Sequence, residues 1–351
     1  MTDRVPAWLR RLFTVPGVLA GSMLLFTLLP LWLIVGAFLS PWLPGRWRPM
    51  RFLWFAVVYA VLENLLLAAL CWLWLDRLWR RVAGRFDRRR WQDQHYALIA
   101  WFLSRLRHTA VRAFRLRVDV DEPIPARVAV RARPRRPLLV CCRHAGPGDS
   151  FLLVHALLVT FRRRPRIVLK DTLRLDPAAD IGLGRLPNRF ITPSPQGGED
   201  VEAAIGQLAA TMGEDDALVI FPEGGNFTER RRLRAIERLR SKGHHDEAAK
   251  AERMRHVVAP RPGGLLAAID GAPRADVVFV AHEGLEDLSS LFDLWRGLPM
   301  DDVVEARWWR VPAEDVPADR EKQIDWLFAW WGRMDEWIAA RRPLRGRTPA
   351  V

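Results

Sequence analysis

Two short segments carry the residue types that proton-transfer chemistry needs. One is His144-Ala145-Gly146-Pro147-Gly148-Asp149 and the other is Phe221-Pro222-Glu223-Gly224. A carboxylate on one ring nitrogen of a histidine fixes the tautomer and stabilises the imidazolium. The other nitrogen is then free to act as a general base. Residues 138–142 form an apolar run of strand length, Gly146-Pro147-Gly148 is turn chemistry, and Asp149 stands where a helix N-cap belongs, ahead of Phe151-Leu152-Leu153-Val154. Such a turn can fold Asp149 back against His144. The spacing alone is a weak signal, because His282 and Asp287 repeat it. A helix cap beside a loop histidine is the other reading of the same residues.

The second segment changes the balance. Ala217-Leu218-Val219-Ile220-Phe221 is strand-like, Pro222 ends it, and Glu223 falls at a strand end, where open α/β sheets bind their ligands. Glu223 follows His144 by 79 positions. With this order and spacing the chain resembles the glycerolipid acyltransferase family, which includes 1-acylglycerol-3-phosphate and lysocardiolipin acyltransferases, and is nearest the lysocardiolipin-like branch. The resemblance covers residues 110–315, and Phe-Pro-Glu-Gly is its more specific part. Lys170, with Leu173 and Pro177 after it, is similar to the family's lysine segment. Gly184 and Phe190-Ile191 resemble its second block, and Val258 to Gly264, with Pro260, its fourth. Several positions depart from the pattern. Pro193 replaces an arginine usual after Phe-Ile, leaving Arg189 or Arg185 as the substitute. Gly225 stands where many members have Thr or Ser, and Arg143 and Gly146 replace polar residues that often flank the histidine.

The resemblance implies an α/β fold, a mixed sheet flanked by helices. It implies transfer of an acyl chain from acyl-CoA or an acyl carrier protein to a lysophospholipid hydroxyl, without a covalent enzyme intermediate. His144 would be the base and Asp149 its orienting partner. Glu223, Gly224, Phe221, Pro222, Pro260, Lys170 and Arg189 would bind substrate, with the last pair of cations near its phosphate. No metal and no cofactor are needed.

Two other functions compete. Gly148-Asp149-Ser150-Phe151 resembles the Gly-Asp-Ser-Leu block of an esterase family, with Ser150 as nucleophile. That family needs a downstream Asp-x-x-His, and no histidine here has an aspartate three residues before it. A non-catalytic membrane protein of the same fold is the third possibility. Retention of His144, Asp149 and Glu223 together argues against it.

The net charge is +14, and arginine supplies all but four of the 54 basic residues. Codon bias explains such a ratio. So does attraction to anionic lipid head groups and to the phosphates of an acyl donor. No nucleic-acid recognition motif is present, so no nucleic-acid partner is expected. Cys71, Cys141 and Cys142 suit neither a disulfide framework nor a zinc site.

The elements that must position this chemistry begin with a membrane hairpin over residues 1–76. Its apolar runs are 17–43 and 52–75, each long enough to span a bilayer. The first is too long, and lacks a cleavage pattern, for a signal peptide. Arginines before the first run and after the second place both ends, and the catalytic part, on the cytoplasmic face of the cell membrane. Arg46, Arg48 and Arg51 in the linker leave a re-entrant hairpin open. Trp42, Trp47, Trp72, Trp74 and Trp79 suit interfacial anchors. Glu63 and Asn64, inside the second run, point to bonding with the partner helix.

Residues 77–117 form a basic helical segment whose stripe of Tyr96, Ile99, Phe102, Leu103 and Leu106 faces either a membrane or the sheet. The catalytic domain spans 118–345, with a hairpin or linker at 127–136 and a charged helical insertion at 228–256. Most charges of the insertion read as a solvated face, with Arg230, Arg231 and Arg232 as candidates for donor phosphates. Strands are expected at 276–281 and 303–311. A terminal helix carries Ile324, Leu327, Phe328, Trp331, Met334 and Ile338 on one stripe, with Trp326, Trp330 and Trp337 facing a membrane or partner.

Overall fold

A computed structural model describes residues 6–43, 45, 47–121, 135–191, 201–284, 295–296, 298–300 and 303–345. Seven strands form one sheet: β1 (Arg117–Asp121), β2 (Leu138–Cys142), β3 (Arg164–Lys170), β4 (Arg189–Ile191), β5 (Asp216–Ile220), β6 (Asp276–Glu283) and β7 (Val303–Val311). Their order is β1-β7-β6-β2-β5-β3-β4. The strands β6, β2, β5, β3 and β4 run parallel, β7 is antiparallel to β6, and β1 is parallel to β7. The sheet is therefore mixed. Its central strand, β2, is buried along its whole length, which is why it reads as an unbroken apolar run. Alternate residues serve opposite faces: Leu139 and Cys141 join one core, Leu138, Val140 and Cys142 the other.

Helices cover both faces. The first core holds residues from α7 (Val201–Ala210), α8 (Glu229–Ser241), α9 (His245–Arg253), α10 (Pro262–Gly271) and α11 (Arg320–Arg345). On the other face lies α5 (Pro147–His155), continued by a π-helical turn at Ala156–Thr160. Outside α5 lie α4 (Arg88–Phe114) and the short α6 (Pro177–Leu183). The charged insertion is two helices, and Ala235, Ile236, Ala248 and Ala251 are the small residues that bury it. Trp326 and Trp330 pack on Phe279 of β6, and Trp337 on Trp309 of β7. Those three indoles thus complete the core and do not form a free apolar face. The stripe on α4 is likewise enclosed: Phe102 and Leu103 pack against α3 of the hairpin (Arg48–Val82), and the Tyr96 hydroxyl donates to the Pro165 carbonyl at the start of β3 (3.1 Å). Most of the linker expected at 127–136 lies outside the described residues.

The first apolar run is two helices, α1 (Ala7–Thr27) and α2 (Leu29–Leu39), because Pro30 has no N–H to give and opens the second helix at its first turn. The second run extends seven residues past the apolar stretch, through Arg77 to Val82. Arginine is a good helix former, and the chain turns only at Gly84, φ +65°. Helices α1 and α3 are long and apolar enough to cross a membrane. They are antiparallel, joined where Asn64 donates to the Ser22 hydroxyl (2.8 Å).

Yet α3 also lies along the α/β part. Arg48 donates to the Leu298 carbonyl (2.8 Å), Arg51 to that of Ala113 (3.2 Å), Tyr59 to Asp176 (3.1 Å), and the Leu70 carbonyl accepts from Arg185 (2.8 Å). Glu63 is buried beside Asp176, not against the partner helix. The outward face is apolar, with Trp8, Phe13, Met23, Ile34, Phe38 and Trp72 exposed.

Arg10 and Arg11 fasten α1 to α6 through the buried Asp180 (2.7 and 2.6 Å). Replacing Asp180 with Ala removes the carboxylate that Arg10 and Arg11 share, and losing one member of a buried pair costs about 3 kcal/mol. The Asp180→Ala protein is expected to melt at lower temperature and to be cleaved sooner by trypsin near residues 10–11. Unchanged melting and cleavage would show that the pair does not fasten the hairpin.

Candidate active site

Four segments meet at the carboxyl ends of the parallel strands: residues 143–149 after β2, 221–227 after β5, Lys170 at the end of β3, and His282-Glu283 ending β6. His144 Nδ1 lies 3.0 Å from Asp149 Oδ2. That oxygen also accepts from the backbone N–H of Ala145 (2.7 Å) and Gly146 (3.1 Å). Gly146, not Asp149, is the N-cap of α5, and Asp149 reaches back from the third helical position. The cap and the imidazole partner are thus one carboxylate. Burial by itself would raise its pKa, but hydrogen bonds and charge from His144 and His282 outweigh burial and hold it well below the usual carboxylate range.

An ionised carboxylate only accepts, so Nδ1 of His144 carries the proton and Nε2 is left with a lone pair. The imidazole stays partly open, 15% exposed, and the Phe221 ring packs against it at 4.5 Å. Ser150 donates its hydroxyl to Asp149 Oδ1 (3.1 Å). It faces a carboxylate and no imidazole, so the geometry gives the esterase reading no base.

Two residues set aside in the sequence belong to this centre. His282 is brought beside the 143–149 loop because β6 pairs with β2. Its Nε2 is 3.1 Å from the Arg143 carbonyl and 3.5 Å from Asp149 Oδ2. Asp287, at the repeated spacing, lies outside the described residues. Arg143, met in the sequence as a departure, is fully buried at 0% exposure. It donates to the His282 carbonyl (2.7 Å) and lies 3.4 Å from Glu283, which also accepts from Arg342 of α11 (3.1 Å). A charge in that position has no sequence signal beyond its place beside the histidine.

Glu223 is only 1% exposed, and no hydrogen bond of good geometry reaches its carboxylate oxygens from the described residues. Burial pushes its pKa up to about 8, opposed in part by the Arg143 guanidinium, the His144 and Val258 backbones and the Trp331 indole. It is enclosed beneath the His144 loop. The following turn is open: Gly224 has φ +69° and Gly225 φ +155°, conformations only glycine adopts readily. The Arg231 guanidinium lies where a Cβ on Gly225 would go, and donates to the Gly224 carbonyl (3.1 Å). Arg261 lies across Gly224, and its N–H bonds the Pro222 carbonyl (2.9 Å), which ties the Pro260 segment to the turn. Burial, and then Arg238 and Arg231, hold the Arg261 pKa below its ordinary value. Among the described residues no carboxylate pairs with Arg261. Arg261 follows Pro260 directly, and that adjacency was the available signal.

Lys170 is exposed at the same sheet edge. Arg189 opens β4 in register with Val168, two residues back from that edge. Arg185 faces the hairpin through Leu70 and is not part of this centre. Pro193 lies outside the described residues. Arg232 is held by Glu229 and the Met254 carbonyl. Among the described residues no three His, Cys, Asp or Glu side chains form a metal-ligand group.

A family model described as acyltransferase matches residues 115–260. The crystal structure of the 1-acyl-sn-glycerophosphate acyltransferase PlsC from Thermotoga maritima is similar to this fold, with TM-score 0.53 and 16% sequence identity, covering 84% of this chain and 98% of that one. No curated protein matches.

The buried Glu223 makes stability depend on pH in a defined direction. Its folded pKa of about 8 lies above the unfolded value of 4.5, so the folded state holds the extra proton between them. Stability is lost as pH rises through that window. Glu223→Gln, neutral at every pH, is expected to gain melting temperature relative to wild type as pH rises from 5 to 8. At about 1.4 kcal/mol per pH unit the gain amounts to a few kcal/mol. A difference that stays flat with pH would show that Glu223 is ionised throughout.

Proposed function

We propose that the protein, whose residues 115–260 match an acyltransferase family model, moves an acyl chain from a thioester to the free hydroxyl of a lysophospholipid, 1-acylglycerol-3-phosphate or a relative. The observation that carries this reading is the His144–Asp149 contact of 3.0 Å at the carboxyl end of β2.

In the proposed step His144 Nε2 removes the proton of the acceptor hydroxyl. The oxygen bonds to the thioester carbonyl carbon, the carbon–sulfur bond breaks, and the imidazolium returns its proton to the departing thiolate. The ionised Asp149 stabilises the imidazolium while it exists. Acyl-CoA and an acyl carrier protein both supply the required thioester. No metal or redox group enters the step. The acceptor's phosphate would meet Lys170, Arg261 and Arg231, with Arg189 nearby. Arginine forks suit phosphate oxygens. Glu223 would act from below, holding the His144 loop, while Phe221, Pro222, Gly224 and Pro260 shape the turn. The Thermotoga protein is a 1-acyl-sn-glycerophosphate acyltransferase, named for an acceptor of this kind. The apolar outer face of the hairpin favours a membrane-associated enzyme, with its catalytic part on the cytoplasmic side as the arginine bias suggests.

The test is thiol release from acyl-CoA by detergent-solubilised protein offered a panel of lysophospholipids. General-base catalysis contributes about 10²–10⁴-fold, so His144→Ala is expected to lose that much acceptor-dependent release, and Asp149→Asn a substantial part of it. Release that persists in His144→Ala would defeat the mechanism. Release without any acceptor would identify a thioesterase instead.

A further inference from the structure

We propose that Arg77, Arg81 and Arg185 form a binding site for the phosphate of an anionic phospholipid head group, separate from the acyl-transfer centre. The site lies at the opposite end of the sheet from His144. Its floor is the first turns of α4, which are fixed near the strand starts by the Tyr96 bond to Pro165 and by Arg89, 3.7 Å from Asp215 just before β5.

Three guanidinium groups converge there. Arg77 lies over Trp91 at 4.9 Å and over Phe86 at 5.6 Å. Arg81 lies over Phe86 at 5.1 Å, and Arg185 is 6.0 Å from the Trp91 ring. Arg185 also donates to the Leu70 carbonyl (2.8 Å) and lies 3.2 Å from His95 Nε2. His95 Nδ1 is 2.7 Å from the Trp91 carbonyl, an acceptor, so Nδ1 holds the proton and Nε2 accepts from Arg185. This histidine is therefore neutral: burial, Arg185 and Arg77 hold its pKa down, against the Trp91 carbonyl.

Among the described residues no carboxylate pairs with Arg77, Arg81 or Arg185. Three neighbouring cations are matched: Arg80 bonds Asp76 (2.7 Å), and Arg10 and Arg11 share Asp180. Burial, then Arg11 and Arg77, push the Arg185 pKa down to about 10. Arg77 and Arg185 are half-buried and Arg81 is exposed; like charges held together on aromatic faces repel one another, and an anion between them relieves the repulsion. Guanidinium forks suit phosphate. The adjoining surface of α3 names the source. Trp72, Trp79 and Val82, the last 91% exposed, are apolar side chains on one side of that helix of the kind that enters the head-group layer. A basic cluster at the end of such a helix recruits anionic lipid, each cation contributing about fivefold in affinity.

The proposal does not depend on the acyl-transfer reading. Its test is calorimetric titration of the detergent-solubilised full chain with dihexanoyl phosphatidylglycerol, dihexanoyl phosphatidylcholine and inorganic phosphate. Wild type is expected to bind the glycerol lipid at least about fivefold more tightly than the choline lipid. Arg77→Gln loses only ring contacts and is expected to abolish that preference, Arg77→Lys to restore part of it, and Arg80→Gln to leave it intact. A second lipid site at His144 would be untouched by Arg77→Gln. Equal binding of the two lipids by wild type would overturn the proposal, as would equal loss in Arg80→Gln. Inorganic phosphate binding as tightly as the glycerol lipid would overturn the lipid assignment in favour of a free anion.

Discussion

The buried carboxylate of Asp149 is the constraint on which the centre depends. One oxygen accepts from His144 and from two backbone N–H groups, while His282 stands 3.5 Å away. A group so placed must remain ionised, and the helix it belongs to favours negative charge in its first turn. Because Asp149 is built into the start of α5, the imidazole is oriented by a helix and not by a loop. That helix is in turn fixed by Leu153 and Leu157, which pack under β2 against Val140 and Cys142. Orientation of the base is therefore a consequence of core packing.

The charges beneath form a second layer. Arg143 lies between the Glu283 carboxylate and the field of Glu223, and Arg342 reaches Glu283 from the last helix. Burying one unpaired charge costs several kcal/mol, whereas paired and bonded charges can be kept. The loop that carries His144 is thus tied to β6 and to α11, residues far apart in the chain.

Much of this was legible in the sequence and some was not, for identifiable reasons. Strands β2, β5 and β6 announce themselves as apolar runs because the middle of the sheet is covered on both faces. The histidine and carboxylate motifs fall at strand ends because turn residues follow them. Arg143 was opaque, since a charged residue reads as exposed until its neighbours are known. His282 stood in the sequence only as a chance repeat of the spacing, but pairing of β6 with β2 brings it beside Asp149. Arg231 stood out of a charged run only as a candidate for donor phosphates. Its guanidinium fills the space a side chain at residue 225 would need. The glycine that looked like a missing hydroxyl and this arginine are one coupled feature.

The hairpin shows the same limit of local reading. Hydropathy finds apolar length but not what one face of that length touches. Residues 48–59 of α3 meet Leu298, Ala113 and Asp176, all close to the sheet edge that carries His144, and Phe52 and Phe55 join the cluster that includes Leu152 of α5. Leu70 lies further along α3, at Arg185 and Gly182. One helix of 35 residues is thus braced against the α/β part over much of its length. A helix held this way keeps its outward apolar face and the catalytic edge in a fixed relation. Any surface that accepts the hairpin therefore also sets how far His144 lies from it.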